Sequence, residues 1–85
     1  MKTINTSGKR KRAIARASLK EGKGVIRINS KLLEHYQPLL SKLKIMEPLM
    51  LAPELSKKVD INVKVNGGGF QSQTEATRLA IARAL

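Results

Sequence analysis

The sequence predicts a small α+β domain in which a β-hairpin and at least one further strand pack against helices. Three observations carry this prediction. Apolar and polar residues alternate over residues 13–19 and again over 59–65, the period of a strand buried on one face. Apolar residues recur at steps of three and four over 39–50 and 76–85, the period of an amphipathic helix. The chain has 85 residues, enough for one domain (1–85) around a single modest core.

Residues 1–11 read as a basic amino-terminal extension. Between Met1 and Lys20 there are seven basic residues and no acid, and the first carboxylate is Glu21. In the next stretch Ala13, Ala15, Ala17 and Leu19 fall on one side, with Arg12, Ile14, Arg16, Ser18 and Lys20 on the other. This predicts a strand whose second face is cationic. Glu21-Gly22-Lys23-Gly24 reads as a turn in which both glycines are free to take positive φ. The short β-branched run Val25-Ile26-Arg27-Ile28 then reads as the return strand of a hairpin, and Asn29-Ser30 as a turn and helix cap.

Residues 31–36 suit one or two helical turns, and Gln37-Pro38 starts a second helical piece with Pro38 at its first position. Leu39, Leu43, Met46 and Met50 make one apolar stripe, a pattern that more often faces a core than a groove. Pro48 is expected to break or restart this helix near Glu47, and Pro53 to end it. Val59, Ile61, Val63 and Val65 alternate with Asp60, Asn62, Lys64 and Asn66, the cleanest strand in the chain, which Gly67-Gly68-Gly69 ends. Thr74 or Ser72 is placed to cap the last helix, with Glu75 in its first turn. Ala76, Leu79, Ala80 and Arg83 share one face of it, widened by Ile81, Ala84 and Leu85. No terminator follows, so Leu85 reads as the end of a natural protein cut short, or of one whose tail has been lost.

Charge bounds the function. Seventeen Lys and Arg against six Asp and Glu give a net charge of +11. An excess of this size attracts polyanions, either nucleic acid or an anionic membrane. No apolar run nears the roughly 18 residues that span a bilayer, and the polar, basic amino terminus has no signal-peptide core; nucleic acid is the favoured partner. The chain has no Cys, hence no disulfide and no thiolate metal site, which suits a reducing cytosol. Tyr36 and Phe70 are the only aromatics, so the core must be aliphatic.

Two segments carry chemistry. On an extended strand, Lys9, Arg10, Lys11, Arg12, Arg16 and Lys20 can meet successive phosphates, and an arginine can bridge two oxygens. A charge run is often only a solvated face, but the lack of acids over the first twenty residues weakens that reading. With few aromatics for stacking, contacts should fall on phosphate and sugar, reading a folded RNA by shape. The strand–glycine–helix junction at Gly67, Gly68 and Gly69 admits two readings: close approach to a phosphate, or a tight turn needing positive φ. It is neither a P-loop nor a dinucleotide fingerprint. His35 stands alone, without further metal ligands, and the carboxylates form no acid–base pair. No enzyme activity, metal or cofactor is expected.

Residues 6–17, Thr6-Ser7-Gly8-Lys9-Arg10-Lys11-Arg12-Ala13-Ile14-Ala15-Arg16-Ala17, resemble the amino-terminal signature of the ninth protein of the small ribosomal subunit. Gly67-Gly68-Gly69-Phe70-Gln71-Ser72-Gln73 and Ile81-Ala82-Arg83-Ala84-Leu85 resemble that family's other two marks, and Lys44-Ile45-Met46-Glu47-Pro48-Leu49 its archaeal and eukaryotic branch. The resemblance runs in order from about Thr3 to Leu85. It implies a left-handed split β-α-β domain seated on ribosomal RNA in the head of the small subunit. Carried over by position, Lys9, Arg10, Lys11 and Arg16 would contact RNA and the turn at 67–69 would pack close to it. Arg12 stands where the family commonly has Thr, and Ser72 where the glycine pattern has Gly. Family members continue into a basic tail toward the peptidyl-site transfer RNA; that segment is absent from this sequence, so no transfer-RNA contact is expected of it.

The function these readings imply is a structural constituent of the small ribosomal subunit that binds and stabilises ribosomal RNA. Its RNA-facing set is Lys9, Arg10, Lys11, Arg12, Arg16, Lys20, Gly67, Gly68, Gly69, Gln71, Gln73 and Arg78. Its other partners would be neighbouring small-subunit proteins, in the cytoplasm on the ribosome, with no membrane or small-molecule substrate. The alternatives are a free-standing RNA-binding or RNA-chaperone domain, truncated or engineered from the same family, and, remotely, a phosphate-binding enzyme. The latter lacks a catalytic set around its glycine turn.

Overall fold

In the computed structural model, which describes residues 3–36 and 38–85, nine elements follow one another. Strands β1 (Ile4–Arg10), β2 (Ala13–Glu21), β3 (Ile26–Ile28) and β4 (Lys31–Leu32) lead to a single 3-10 turn (Leu33–His35). Helices α1 (Leu39–Leu51) and α2 (Pro53–Ser56), strand β5 (Val59–Asn66) and helix α3 (Phe70–Ala84) complete the chain. The strands form one mixed sheet in the order β1-β2-β5-β3-β4. Only β3 and β5 run parallel; the other neighbours are antiparallel.

The alternation predicted for the two long strands is present. Ala13, Ala15, Ala17 and Leu19 of β2 and Val59, Ile61, Val63 and Val65 of β5 are buried on one face. There they join Ile45 and Leu49 of α1 and Ala76, Ala80, Ile81 and Ala84 of α3 in one aliphatic core. The alanines of β2 let α3 lie close to the sheet. Gly8 does the same on β1: a Cβ there would come within 2.3 Å of the Ala76 carbonyl oxygen and 2.6 Å of the Ala80 nitrogen. Beside it, the Thr6 hydroxyl donates to the Ala80 carbonyl at 2.8 Å.

Strand pairing corrects the predicted hairpin. The return strand of β2 is not β3 but β5, paired with β2 from Ile14–Asn66 to Glu21–Val59. Two long alternating strands satisfy each other's backbone groups along their whole length, which the three residues of β3 cannot do for β2. Asp60 helps route the chain across. Its Oδ1 accepts from the Lys23 and Val25 amides at 3.0 and 2.9 Å, steering the chain to the far side of β5. Of the two glycines in this turn only Gly24 takes positive φ; Gly22 is needed for space, since a Cβ there would lie 2.1 Å from Asp60 Cγ. Residues 4–10, expected as an extension, form edge strand β1 and pair with β2 from Ile4–Leu19 to Arg10–Ala13; Met1 and Lys2 lie outside the described residues.

Asn29 and Ser30 cap no helix. Both have positive φ, 51° and 71°, as a two-residue type I′ hairpin turn between β3 and β4 requires. The Asn29 amide side chain bonds both backbone groups of Val65, extending the parallel pairing past the end of β3. Of the one or two helical turns expected over residues 31–36, one is present, the 3-10 turn, and Lys31 and Leu32 before it form β4. The predicted helix start at Gln37-Pro38 falls partly on Gln37, outside the described residues, and Pro38 is the residue before α1.

Three helix details also differ. Pro48 lies inside α1 and does not break it; its ring is buried with Ile45 and Leu49, and this packing offsets the lost backbone bond. The expected core stripe faces outward, with Leu39 64%, Leu43 46% and Met50 68% exposed, and only Met46 touches the core. The buried face is instead Ser41, Ile45, Pro48 and Leu49. Nearly every side of this helix is apolar, so periodicity does not choose which one docks. Finally, α3 begins one turn earlier than predicted, after Gly69. Thr74 is therefore inside it, its hydroxyl donating to the Phe70 carbonyl at 3.1 Å.

Candidate nucleic-acid interface

The face of the sheet opposite the helices is uncovered. Directly opposed residues on neighbouring strands share a face, so the register places Asn5, Ser7 and Lys9 of β1 beside Ser18, Arg16 and Ile14 of β2. On the other side of β2, Lys20, Ser18, Arg16 and Ile14 oppose Asp60, Asn62, Lys64 and Asn66 of β5, and Arg27 of β3 lies next to Asn62. The surface is thus a lattice of amides and hydroxyls carrying Lys9, Arg16, Lys20, Arg27 and Lys64. Arg16 and Lys64 stand directly opposite each other, an arrangement that is unfavourable until an anion lies between or above them.

Acid offsets this charge at Lys20, which stands opposite Asp60. Glu47 and Glu75 pair with Arg78 and Arg10, each at 2.7 Å. Among the described residues Asp60 is the one carboxylate on the open face, and its Oδ1 is occupied by the Lys23 and Val25 amides. These backbone bonds, first that of Val25 and then that of Lys23, hold its carboxyl below the usual pKa range. Among the described residues, Lys9, Lys11, Arg12, Arg16, Arg27 and Lys64 make no ion pair.

A second basic feature adjoins the sheet. Lys11 and Arg12 form the two-residue tip between β1 and β2, with Lys11 at a φ of 54°. The glycine turn packs on this tip. A Cβ on Gly67 would lie 2.4 Å from the Arg12 carbonyl oxygen, and one on Gly68 would lie 3.0 Å from the Ala13 nitrogen. Both glycines also need positive φ, 80° and 65°. Gly67 and Gly68 therefore meet the tight-turn requirement and seat the turn on the hairpin. Gly69 differs: nothing lies within 4 Å of where its Cβ would be, and it precedes α3 with no side-chain cap, leaving the first amides of that helix open.

The other sequence-predicted residues sort by their contacts. Arg10 is tied to Glu75 and Arg78 to Glu47, so both arginines hold α3, one to the hairpin and one to α1. Gln73 donates to the Gly67 carbonyl at 3.1 Å and closes the turn. Gln71 is exposed at the start of α3. Lys20 lies at the far end of β2, opposite Asp60. Sequence reasoning missed Lys64, Arg27 and their flanking Asn and Ser residues. The alternation did place Lys64 on the polar side of β5, but only the register put it against Arg16.

No described helix is long and apolar enough to cross a membrane. Among the described residues no three His, Cys, Asp or Glu side chains converge to hold a metal.

A family model described as ribosomal protein S9/S16 matches residues 8–85. The chain is 52% identical over all 85 residues to the small ribosomal subunit protein uS9 of Methanothrix thermoacetophila, covering 64% of that protein. It is 51% identical to the uS9 proteins of two Methanococcus maripaludis strains, C7 and S2, covering 63% of each. It thus spans a little under two thirds of the length of these curated relatives. Matched from Gly8 through Leu85, with the basic strand and the glycine turn both inside the match, the chain belongs to the ribosomal protein S9/S16 family.

Proposed function

We propose that this protein is a non-enzymatic structural constituent of the small ribosomal subunit that binds and stabilises ribosomal RNA during translation. The observation that carries this reading is the set of cations that have no acidic partner among the described residues, spread over the open sheet and the adjoining hairpin tip. Lys9, Arg16, Arg27 and Lys64, together with Lys11 and Arg12, would each meet sugar-phosphate, and Lys20 would extend the row. The Asn and Ser side chains between them offer donors and acceptors for ribose and phosphate oxygens. Close packing of negatively charged RNA strands is then favoured because the protein replaces a diffuse ion atmosphere with fixed positive charge. At the open start of α3, Gly69 and Gln71 would add backbone and amide donors.

Arg10, Arg78 and Gln73 support the site by fixing α3 and the turn, and Gly67 and Gly68 by seating that turn on the tip. The family relation also points to neighbouring small-subunit proteins as partners, and to the ribosome in the cytoplasm as its place.

The test is binding of the chain to small-subunit ribosomal RNA across a salt series, with sedimentation of cell extract alongside. If about six to ten phosphates are met, affinity should fall by about 10³- to 10⁵-fold between 50 and 200 mM salt, and the protein should travel with ribosomal particles. Salt-insensitive binding, or steady absence from those particles, would refute the proposal.

A further inference from the structure

We infer that Tyr36 and Phe70 form a stacking site for one unpaired base of the bound RNA, an inference that rests on the RNA-binding reading above. The chain has one Tyr, one Phe and no Trp, and the fold brings the two rings together. Their centroids are 5.9 Å apart and their planes differ by 18°. The aliphatic core does not enclose this pair: Tyr36 only partly packs on it, and Phe70 is 48% exposed. Together with Glu34, His35, Pro38, Leu39 and Lys42 they line one surface recess, whose Glu34 carboxylate lies 3.8 Å from His35 Nε2.

Two features select a nucleobase over an apolar protein segment as the occupant. The first is continuity with the basic end of the molecule. Phe70 directly follows Gly69, and the same turn rests on the hairpin tip through Gly67 and Arg12. A base seated on Phe70 would therefore have its backbone beside the open amides of α3 and near the cations of the tip. The second is Lys42. Its ammonium donates once, to the Glu34 carbonyl at 3.2 Å, leaving two of its three N–H donors for a phosphate. An aromatic face beside a cation with two spare donors matches a nucleotide, whose base stacks while its phosphate accepts those donors. The scarcity of aromatics argues against a run of stacked bases, so the site takes a single base flipped from a bulge or loop.

The probes are an RNA duplex with one unpaired adenosine and the same duplex fully paired, tested on the full chain. Tyr36 is the only strong intrinsic fluorophore, so its emission reports the recess directly. The wild-type protein should bind the bulged RNA more tightly, with Tyr36 emission quenched only by that probe. Phe70→Leu, which keeps an apolar side chain but removes the ring, should lose about 5- to 20-fold in affinity for the bulged RNA, within the range for one stacked base. Its duplex affinity and thermal midpoint should not change, and Phe70→Tyr should bind like wild type. Equal affinity of the wild type for both probes, or an unchanged preference in Phe70→Leu, would overturn the stacking site while leaving RNA binding intact. If Phe70→Leu binds both RNAs normally yet fails to enter ribosomal particles, the occupant is a protein and the inference is wrong. Salt-independent or absent binding to both probes would remove the RNA-binding reading as well.

Discussion

Replacing Lys64 with Gln should make the protein more stable and a poorer RNA binder at the same time. Lys64 stands directly opposite Arg16 across the β2–β5 ladder, and neither cation has an acidic partner among the described residues. Two unit charges about 7 Å apart in water repel by roughly 0.6 kcal/mol. That agrees with the roughly 0.2–1 kcal/mol attributed to directly opposed pairs of side chains in a sheet. Gln keeps most of the stem and can still hydrogen bond, so nearly all of the change is electrostatic. At about 4–8 °C per kcal/mol for a domain of this size, relief of about 0.5 kcal/mol raises the melting midpoint by about 2–4 °C. In RNA binding, loss of one phosphate contact lowers the slope of log affinity against log salt by about 0.9 for duplex RNA, taking the B-DNA value as a guide. Circular dichroism melts at low salt and a salt series of binding isotherms measure the two effects. Lys44→Gln, on the exposed side of α1, is the control and should move neither. A lower midpoint for Lys64→Gln, or an unchanged salt slope, would refute the idea that the open face is a repulsive array awaiting an anion.

Two further changes test how the interface is held. Gly8→Ala places a methyl against backbone atoms of α3 at 2.3 and 2.6 Å, where no side chain can swing aside; overpacking of this kind costs about 3 kcal/mol, and the melting midpoint should fall by about 12–24 °C. A drop below 4 °C would mean that α3 is free to shift away from β1. Asp60 predicts a specific acid sensitivity: its folded pKa lies below the ordinary 3.8 because the Val25 and Lys23 amides hydrogen bond the ionised form. Its stabilising contribution is therefore present above the unfolded value and is lost as pH falls through the lower folded value. The melting-point advantage of wild type over Asp60→Ala should be full near neutrality and shrink below about pH 4; an advantage independent of pH would rule this out.

How much of this was legible beforehand depended on the range of the interaction involved. Period two in residues 13–19 and 59–65 identified both long strands and the correct buried side of each, because alternation is fixed by local backbone geometry. The glycine run marked the turn before α3 for the same reason. Reading faces and charges along the chain also found Lys9, Lys11, Arg12 and Arg16 as exposed cations. Local signals failed where choices were non-local. Val25-Ile26-Arg27-Ile28 looked like the partner of β2 because it came next, yet pairing length favoured β5. The helix of residues 39–51 is apolar on nearly all sides, so docking against the sheet and α3 alone selected Ile45 and Leu49 over Leu39 and Leu43. Arg10 and Arg78 resembled their basic neighbours until Glu75 and Glu47 came within reach.

The sequence by itself therefore determined an aliphatic α+β domain with a cationic leading strand, since composition and periodicity are properties of neighbours along the chain. Tertiary structure alone decided that Lys64 would face Arg16 and that Tyr36 would meet Phe70. It also decided that Gly67 and Gly68 would seat their turn on the hairpin tip. Those outcomes depend on strand order and register, which are set by the competition among distant segments to bury apolar surface and pair backbone groups at once.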